Sequence, residues 1–211
     1  MTPRQATWTL GGLALIACGV IGILQSTVDL GPAAWWLAIT NDALYAVALV
    51  LFAVGFTHAA SLVERGPLGM TALIVLGAWP LTLTGLMLLF TYVIPIEANG
   101  WLLLSYVAIV VPTAAAVIGT LQIVRSGVAP GRWRWLPLWG FGLYAVAWAA
   151  PQFASLTLGP AGVQGASPVF GGLALLAFVF GTIGLGLIAL VLAAREKPAA
   201  AVPDETGGTP S

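Results

Sequence analysis

The run Asn41-Asp42-Ala43-Leu44-Tyr45 … Thr57-His58-Ala59-Ala60-Ser61-Leu62-Val63-Glu64-Arg65 decides the fold. Between Asp42 and Glu64 lie about 21 residues without charge, and at 1.5 Å of rise per residue a helix of that length covers the roughly 30 Å hydrocarbon core of a bilayer. The acidic start and basic end give the helix a direction. It also holds the single histidine, His58.

The whole chain reads the same way. Of its 211 residues, 60% are hydrophobic and 7% are charged, whereas an ordinary soluble domain carries about a quarter charged residues. Such a composition cannot cover a surface facing water. Seven basic and seven acidic side chains cancel, so no basic field is available for nucleic acid. One cysteine and one histidine leave no internal disulfide, no bis-histidine haem and no Cys/His metal site within one chain. No cofactor is expected.

Working outward, apolar runs predict an all-α integral membrane protein, a six-transmembrane-helix bundle. The spans fall at about 8–28, 43–63, 68–94, 101–124, 133–156 and 169–194. Residues 1–7 form a short polar start and 195–211 a disordered tail rich in Ala, Pro, Gly and acid. Glu64-Arg65-Gly66-Pro67 predicts a tight hairpin, and Thr157 to Pro168, with its glycines and prolines, a flexible or re-entrant loop. Pro80 and Pro112 lie mid-span and predict kinks, but their flanks do not match as an inverted repeat would require. If the N-terminus is inside, then Arg4, Arg65, Arg125, Arg132, Arg134, Arg195 and Lys197 all fall on one side, and Asp29, Asp42 and Glu97 on the other. The positive-inside rule then places both termini in the cytoplasm, N-in/C-in, with the chain in the cell's inner membrane.

In span one, Ala14, Cys18, Gly22 and Ser26 recur every fourth residue and form a small-residue packing stripe. Leu15-Ile16-Ala17-Cys18-Gly19 resembles a bacterial lipobox, which would imply cleavage and lipidation at Cys18. Against this, the residues that follow stay apolar.

Chemistry is sparse. No charged residue is expected near mid-depth of any span, which argues against ion-coupled transport. Asp42 is expected at the outer start of span two, where a carboxylate meets the helix dipole. Gln25, Asp29, Tyr45, Tyr92, Glu97, Tyr106, Tyr144, Gln152 and Ser155 all fall in the outer third, making that layer the candidate ligand pocket. With no lysine or arginine there, it favours a neutral or cationic ligand. His58 is expected near the inner end of span two, as a group bonded to a neighbour or one handling protons. Arg132-Trp133-Arg134-Trp135 interleaves base and aromatic at a span start, which reads as an anchor at lipid headgroups. The expected partners are the lipid bilayer and another membrane protein or a second copy. Three function classes remain: a non-enzymatic membrane component, preferred for want of a catalytic constellation; a facilitator of a small neutral or cationic solute; and an embedded enzyme using Asp42 and Glu97 as acid and base.

Overall fold

A computed structural model describes residues 1–28, 31, 34–57, 60–63, 66–94, 98–127 and 131–196. Its helices are α1 (Pro3–Thr27), α2 (Ala34–Val54), α3 (Pro67–Tyr92), α4 (Ala98–Ser126), α5 (Leu136–Gly165), α6 (Ser167–Val179) and α7 (Leu185–Arg195). A π-helical turn, Phe180–Gly184, runs α6 into α7 as one continuous rod, and a short 3₁₀ turn, Gly131–Trp135, leads into α5. No strand occurs among the described residues. Each helix packs on the next in sequence, and the last rod returns to α1, so the bundle closes on itself.

Five helical stretches are long and apolar enough to cross a membrane: α1, α2, α3, Gly100–Ser126 of α4 and the rod Ser167–Arg195. The crossing expected at 133–156 falls on α5, which has 30 residues and no charge. Trp139, Tyr144, Trp148 and Gln152, with interspersed glycine and proline, dilute its apolarity.

Three boundaries differ from expectation. The expected span at 43–63 is a helix over Ala34–Val54. It begins earlier because Trp35-Trp36 belong to its first turn rather than to a loop. It stops at Gly55, whose φ of +60° is left-handed, and a Cβ there would lie 2.6 Å from the Ser61 backbone nitrogen. The chain then folds back under the bundle. Leu62 N–H donates to the Phe52 carbonyl at 2.9 Å, Ser61 Oγ donates to the Ala53 carbonyl, and Ser126 Oγ donates to the Leu62 carbonyl at 2.8 Å. Phe56 N–H donates to Thr7 Oγ1 at 3.1 Å, tying the same segment to α1. Helix ends in an apolar medium must satisfy these backbone groups internally, so this tucked segment takes the place of further helical turns. The second difference is at 157–168, expected as a loop. There the helix continues to Gly165 across a break at Gly159 (φ 67°, ψ 178°). Third, α4 runs Ala98–Ser126, beyond both ends of the span expected at 101–124; the helices continue through Pro80 and Pro112, as the expected spans do.

The first helix and the last rod meet backbone to backbone, glycine against glycine. A Cβ on Gly12 would lie 2.8 Å from the Gly186 carbonyl oxygen, and one on Gly186 would lie 2.7 Å from that of Gly12. A Cβ on Gly19 would meet Thr182 Oγ1 at 2.6 Å, and one on Gly11 would meet the Phe52 ring at 2.8 Å. Of the expected stripe, Cys18 is buried and Gly22 packs on Phe178, while Ser26 is exposed and its hydroxyl donates to its own helix. The seam to the last rod is carried by Gly12 and Gly19 together with Gly22. Cys18 is 1% exposed in the middle of α1, and loss of the residues before it would remove Trp8 and Leu15, both in the main buried cluster with Ala48 and Phe52.

Burial is polarised. The buried residues include Thr7 to Gly19 of α1, Ala48 to Ala53 of α2, Gly69 to Gly77 of α3, Ala115 to Ile123 of α4 and Ala177 to Ala193 of the last rod. Most belong to the half nearer the end that gathers Arg4, Arg125, Arg134 and Arg195, with Cys18, Gly19 and Ala177 just past the middle. In the other half, α4 exposes most of its surface: Leu102, Leu103, Ser105, Tyr106 and Val107 are exposed, and Leu104 and Ala108, on one face, are half-buried.

Gly12→Ala or Gly186→Ala should each destabilise the fold by about 1–3 kcal/mol, because the new methyl meets backbone rather than a movable side chain. Gly85→Ala, which meets open space, should be neutral or slightly stabilising. Thermal unfolding of the detergent-solubilised variants checks the contrast, and equal midpoints for all three would refute the seam.

Candidate functional site

The redrawn α2 changes what Asp42 is. It does not start the helix; it lies near the middle of a 21-residue apolar rod, about 12 Å in from the helix start at 1.5 Å per residue. The expectation that no charge lies at depth is therefore overturned, as is the helix-dipole reading of Asp42. Its carboxylate Oδ2 accepts a hydrogen bond from Thr84 Oγ1 of α3 at 2.6 Å, across the helix interface. That is a short bond joining side chains of two neighbouring helices.

Other elements reach the same place. The Cys18 thiol of α1 lies within electrostatic range of Asp42, and Tyr45 lies within range of both Cys18 and the Tyr144 hydroxyl of α5. Tyr45 packs against the buried cluster of Trp8, Leu15 and Phe52, so its ring floors the polar group where the dense half ends. Cys18, Asp42 with Tyr45, and Thr84 thus bring polar groups of α1, α2 and α3 near one another, while Tyr144 of α5 is 62% exposed.

Beside it opens a cleft of about 390 Å³ lined by Gly22, Gln25, Ser26, Asn41, Leu175 and Phe178, among others. Gln25 Nε2 and Asn41 Oδ1 are both buried atoms with no hydrogen-bond partner. One is a donor and the other an acceptor. Leaving such an atom unpaired costs about 1–3 kcal/mol, so the cleft is chemically prepared for a small group that both gives and accepts a hydrogen bond. An amide, a hydroxyl or an ammonium with a neighbouring acceptor would fit that demand.

The outer polar layer does not converge as a whole. Tyr92 is 71% exposed at the end of α3, Tyr106 is exposed on α4, and Gln152 and Ser155 are exposed on α5, the Ser155 hydroxyl donating to the Gln152 carbonyl at 2.7 Å. Asp29, His58 and Glu97 lie outside the described residues, as does the Arg132 side chain. Among the described residues the only other carboxylate is Glu196, which pairs with Arg4 at the opposite end, so no second carboxylate meets Asp42 there. No cluster of three or more His, Cys, Asp or Glu that could hold a metal occurs among the described residues. Arg134 stacks over the Trp135 ring at 5.8 Å.

Asn41 and Thr84 were missed by sequence reasoning. Asn41 next to Asp42 was a signal, since two adjacent polar residues inside an apolar helix must face different neighbours. With the helix start misplaced, it read as loop.

The fold and its centre define a class: a bundle of membrane-length apolar helices with a carboxylate at depth. No protein-family model matches the chain, and no curated protein or solved structure shows significant similarity to it.

A double-mutant cycle on Asp42→Asn and Thr84→Val should give a coupling energy of about 0.6–1.7 kcal/mol, the range of interhelical hydrogen bonds in membranes. Thr84→Ser should retain most of it. Additive effects of the two substitutions would mean that the bond does not hold α2 to α3.

Proposed function

We propose that the protein is a non-enzymatic, six-crossing inner-membrane protein with both termini in the cytoplasm, and that it admits a small neutral or cationic solute into its outer half. The observation that carries this reading is Asp42, an ionisable group inside an apolar span, bonded to Thr84 of α3 and within electrostatic range of Cys18 of α1. Ionisable residues at such depth are rare because they are costly, and they mark solute or ion paths. The polarised packing supports the direction of entry: the half toward the arginines is dense and the half toward Asp42 is loose. The chain's seven basic residues are all absent from the outer half by sequence position, so a cation meets no repulsion there and an anion finds no partner.

The orientation rests on the gathering of Arg4, Arg125, Arg134 and Arg195 at one end. A C-terminal fusion to a reporter active only outside the cytoplasm should stay silent, and the same reporter fused to one active only inside should light up.

A second reading, an accessory membrane component that binds another membrane protein or a second copy, is favoured by the outer stretch of α4, which touches little of its own bundle. An acid–base enzyme would need Glu97 beside Asp42.

Flux through proteoliposomes separates these. With choline as cationic probe and glycerol as neutral probe, the protein should accelerate entry above that of empty vesicles. Asp42→Asn should cut choline flux about tenfold or more, the cost of removing one partner of a desolvated charge contact, and affect glycerol less. Neither probe crossing faster than in empty vesicles, from a protein shown to be folded, would return the accessory reading to first place.

A further inference from the structure

At the basic end a second recess, about 840 Å³, opens between the start of α1, the Gly131–Trp135 turn and the end of α7. We propose that it binds the phosphate of an anionic phospholipid, held by Arg4, Arg195 and the Trp8 indole N–H. This rests on the bilayer reading and is independent of the outer-half solute site.

Three observations carry it. First, Trp8 is 5% exposed, it lines the recess, and its Nε1 is a buried donor with no partner. Burying an N–H without an acceptor is unfavourable, and a phosphate oxygen would supply one. Second, two guanidinium groups converge there. Arg4 lies over the Trp8 ring at 5.6 Å, and Arg195 closes the other wall. Among the described residues the carboxylate in the recess is Glu196, 3.8 Å from Arg4, with both side chains about a third exposed (35% and 29%). A charge-assisted bond at full strength is about 2.7–2.9 Å long, so this pair is loose, and a phosphate with several oxygens can compete with that carboxylate. Third, the remaining walls are apolar: Trp133, Leu136 and Leu192. A free phosphate gains nothing from them, whereas acyl chains do, and the recess lies where α1 begins and α7 ends, at headgroup depth.

Native mass spectrometry of the full-length protein, titrated with short-chain phosphatidylglycerol or phosphatidylcholine at equal concentrations, tests this. Phosphatidylglycerol adducts should form at about tenfold lower concentration, the scale of a charged hydrogen bond. The Arg4→Gln/Arg195→Gln pair should lose that preference. Trp8→Phe, which removes only the N–H and keeps most of the packing, should weaken binding several-fold. Glu196→Gln removes the competing carboxylate and should tighten it, a gain that misfolding cannot mimic. Arg125→Gln, a charge at the same end but outside the recess, should leave the preference intact. An unchanged lipid ratio in the double variant overturns the site, and so does equal loss in Arg125→Gln, which would reduce it to bulk charge. Displacement of phosphatidylglycerol by millimolar inorganic phosphate would overturn the lipid assignment in favour of a soluble phosphate compound.

Discussion

The contact between Gly12 and Gly186 is the constraint on which the rest depends. In lipid there is no hydrophobic force to press helices together, since acyl chains are as apolar as leucine, so association relies on close packing. Close packing requires that backbones approach, and here they approach until neither residue has room for a Cβ. The π turn at Phe180–Gly184 lies on the same seam and sets Thr182 and Ile183 against Gly19. Because this seam joins the first helix to the last, it closes the bundle. The short stitches under it, from Thr2 and Gln5 at the α1 cap to the Glu196 carbonyl and from the segment after Gly55 to α1, α2 and α4, reinforce the same half.

A bundle clamped at one half is free to open at the other. That asymmetry explains how a carboxylate can be tolerated inside an apolar helix. Asp42 lies at the boundary, where Thr84 satisfies one oxygen and the looser half leaves room for polar company. A carboxylate placed one turn deeper, beside Ala48 and Phe52, would meet only apolar walls and would be far more costly. The unpaired amide atoms of Gln25 and Asn41 lie on the adjacent face of the same boundary, so the polar inventory of the outer half is concentrated on α1 to α3, and the exposed tyrosines of α3 and α4 take no part in it.

The two ends of the molecule thus differ in chemistry for a single reason. Where helices are clamped, their termini gather charge and tryptophan: Arg4 over Trp8, Arg134 over Trp135, Arg195 beside Glu196. Where they splay, acid and amide lie between them with no base nearby. A membrane protein built this way presents an anion-friendly face on one side and a cation-friendly interior toward the other.

Much of the fold was legible in the sequence. The apolar composition demanded a bilayer, uninterrupted hydrophobic runs gave the helices, and the placement of basic residues gave their gathering at one end, because each of these depends on one residue at a time or on spacing along the chain. The candidate site was legible only in part. Asp42, Tyr45, Gln25 and Tyr144 could be singled out as polar residues in apolar runs, but hydropathy does not register a helix stop such as Gly55, so α2 was placed too late and Asp42 too near the surface. What sequence determined by itself was the solvent and the rods. What only the tertiary structure decided was which rods touch, and hence that Gly12 meets Gly186, that Thr84 reaches Asp42 and that Trp8 shares a recess with Arg195. Those contacts join residues far apart in the chain, and their partners are set by how closely two backbones can approach, a property of the pair that neither segment carries alone.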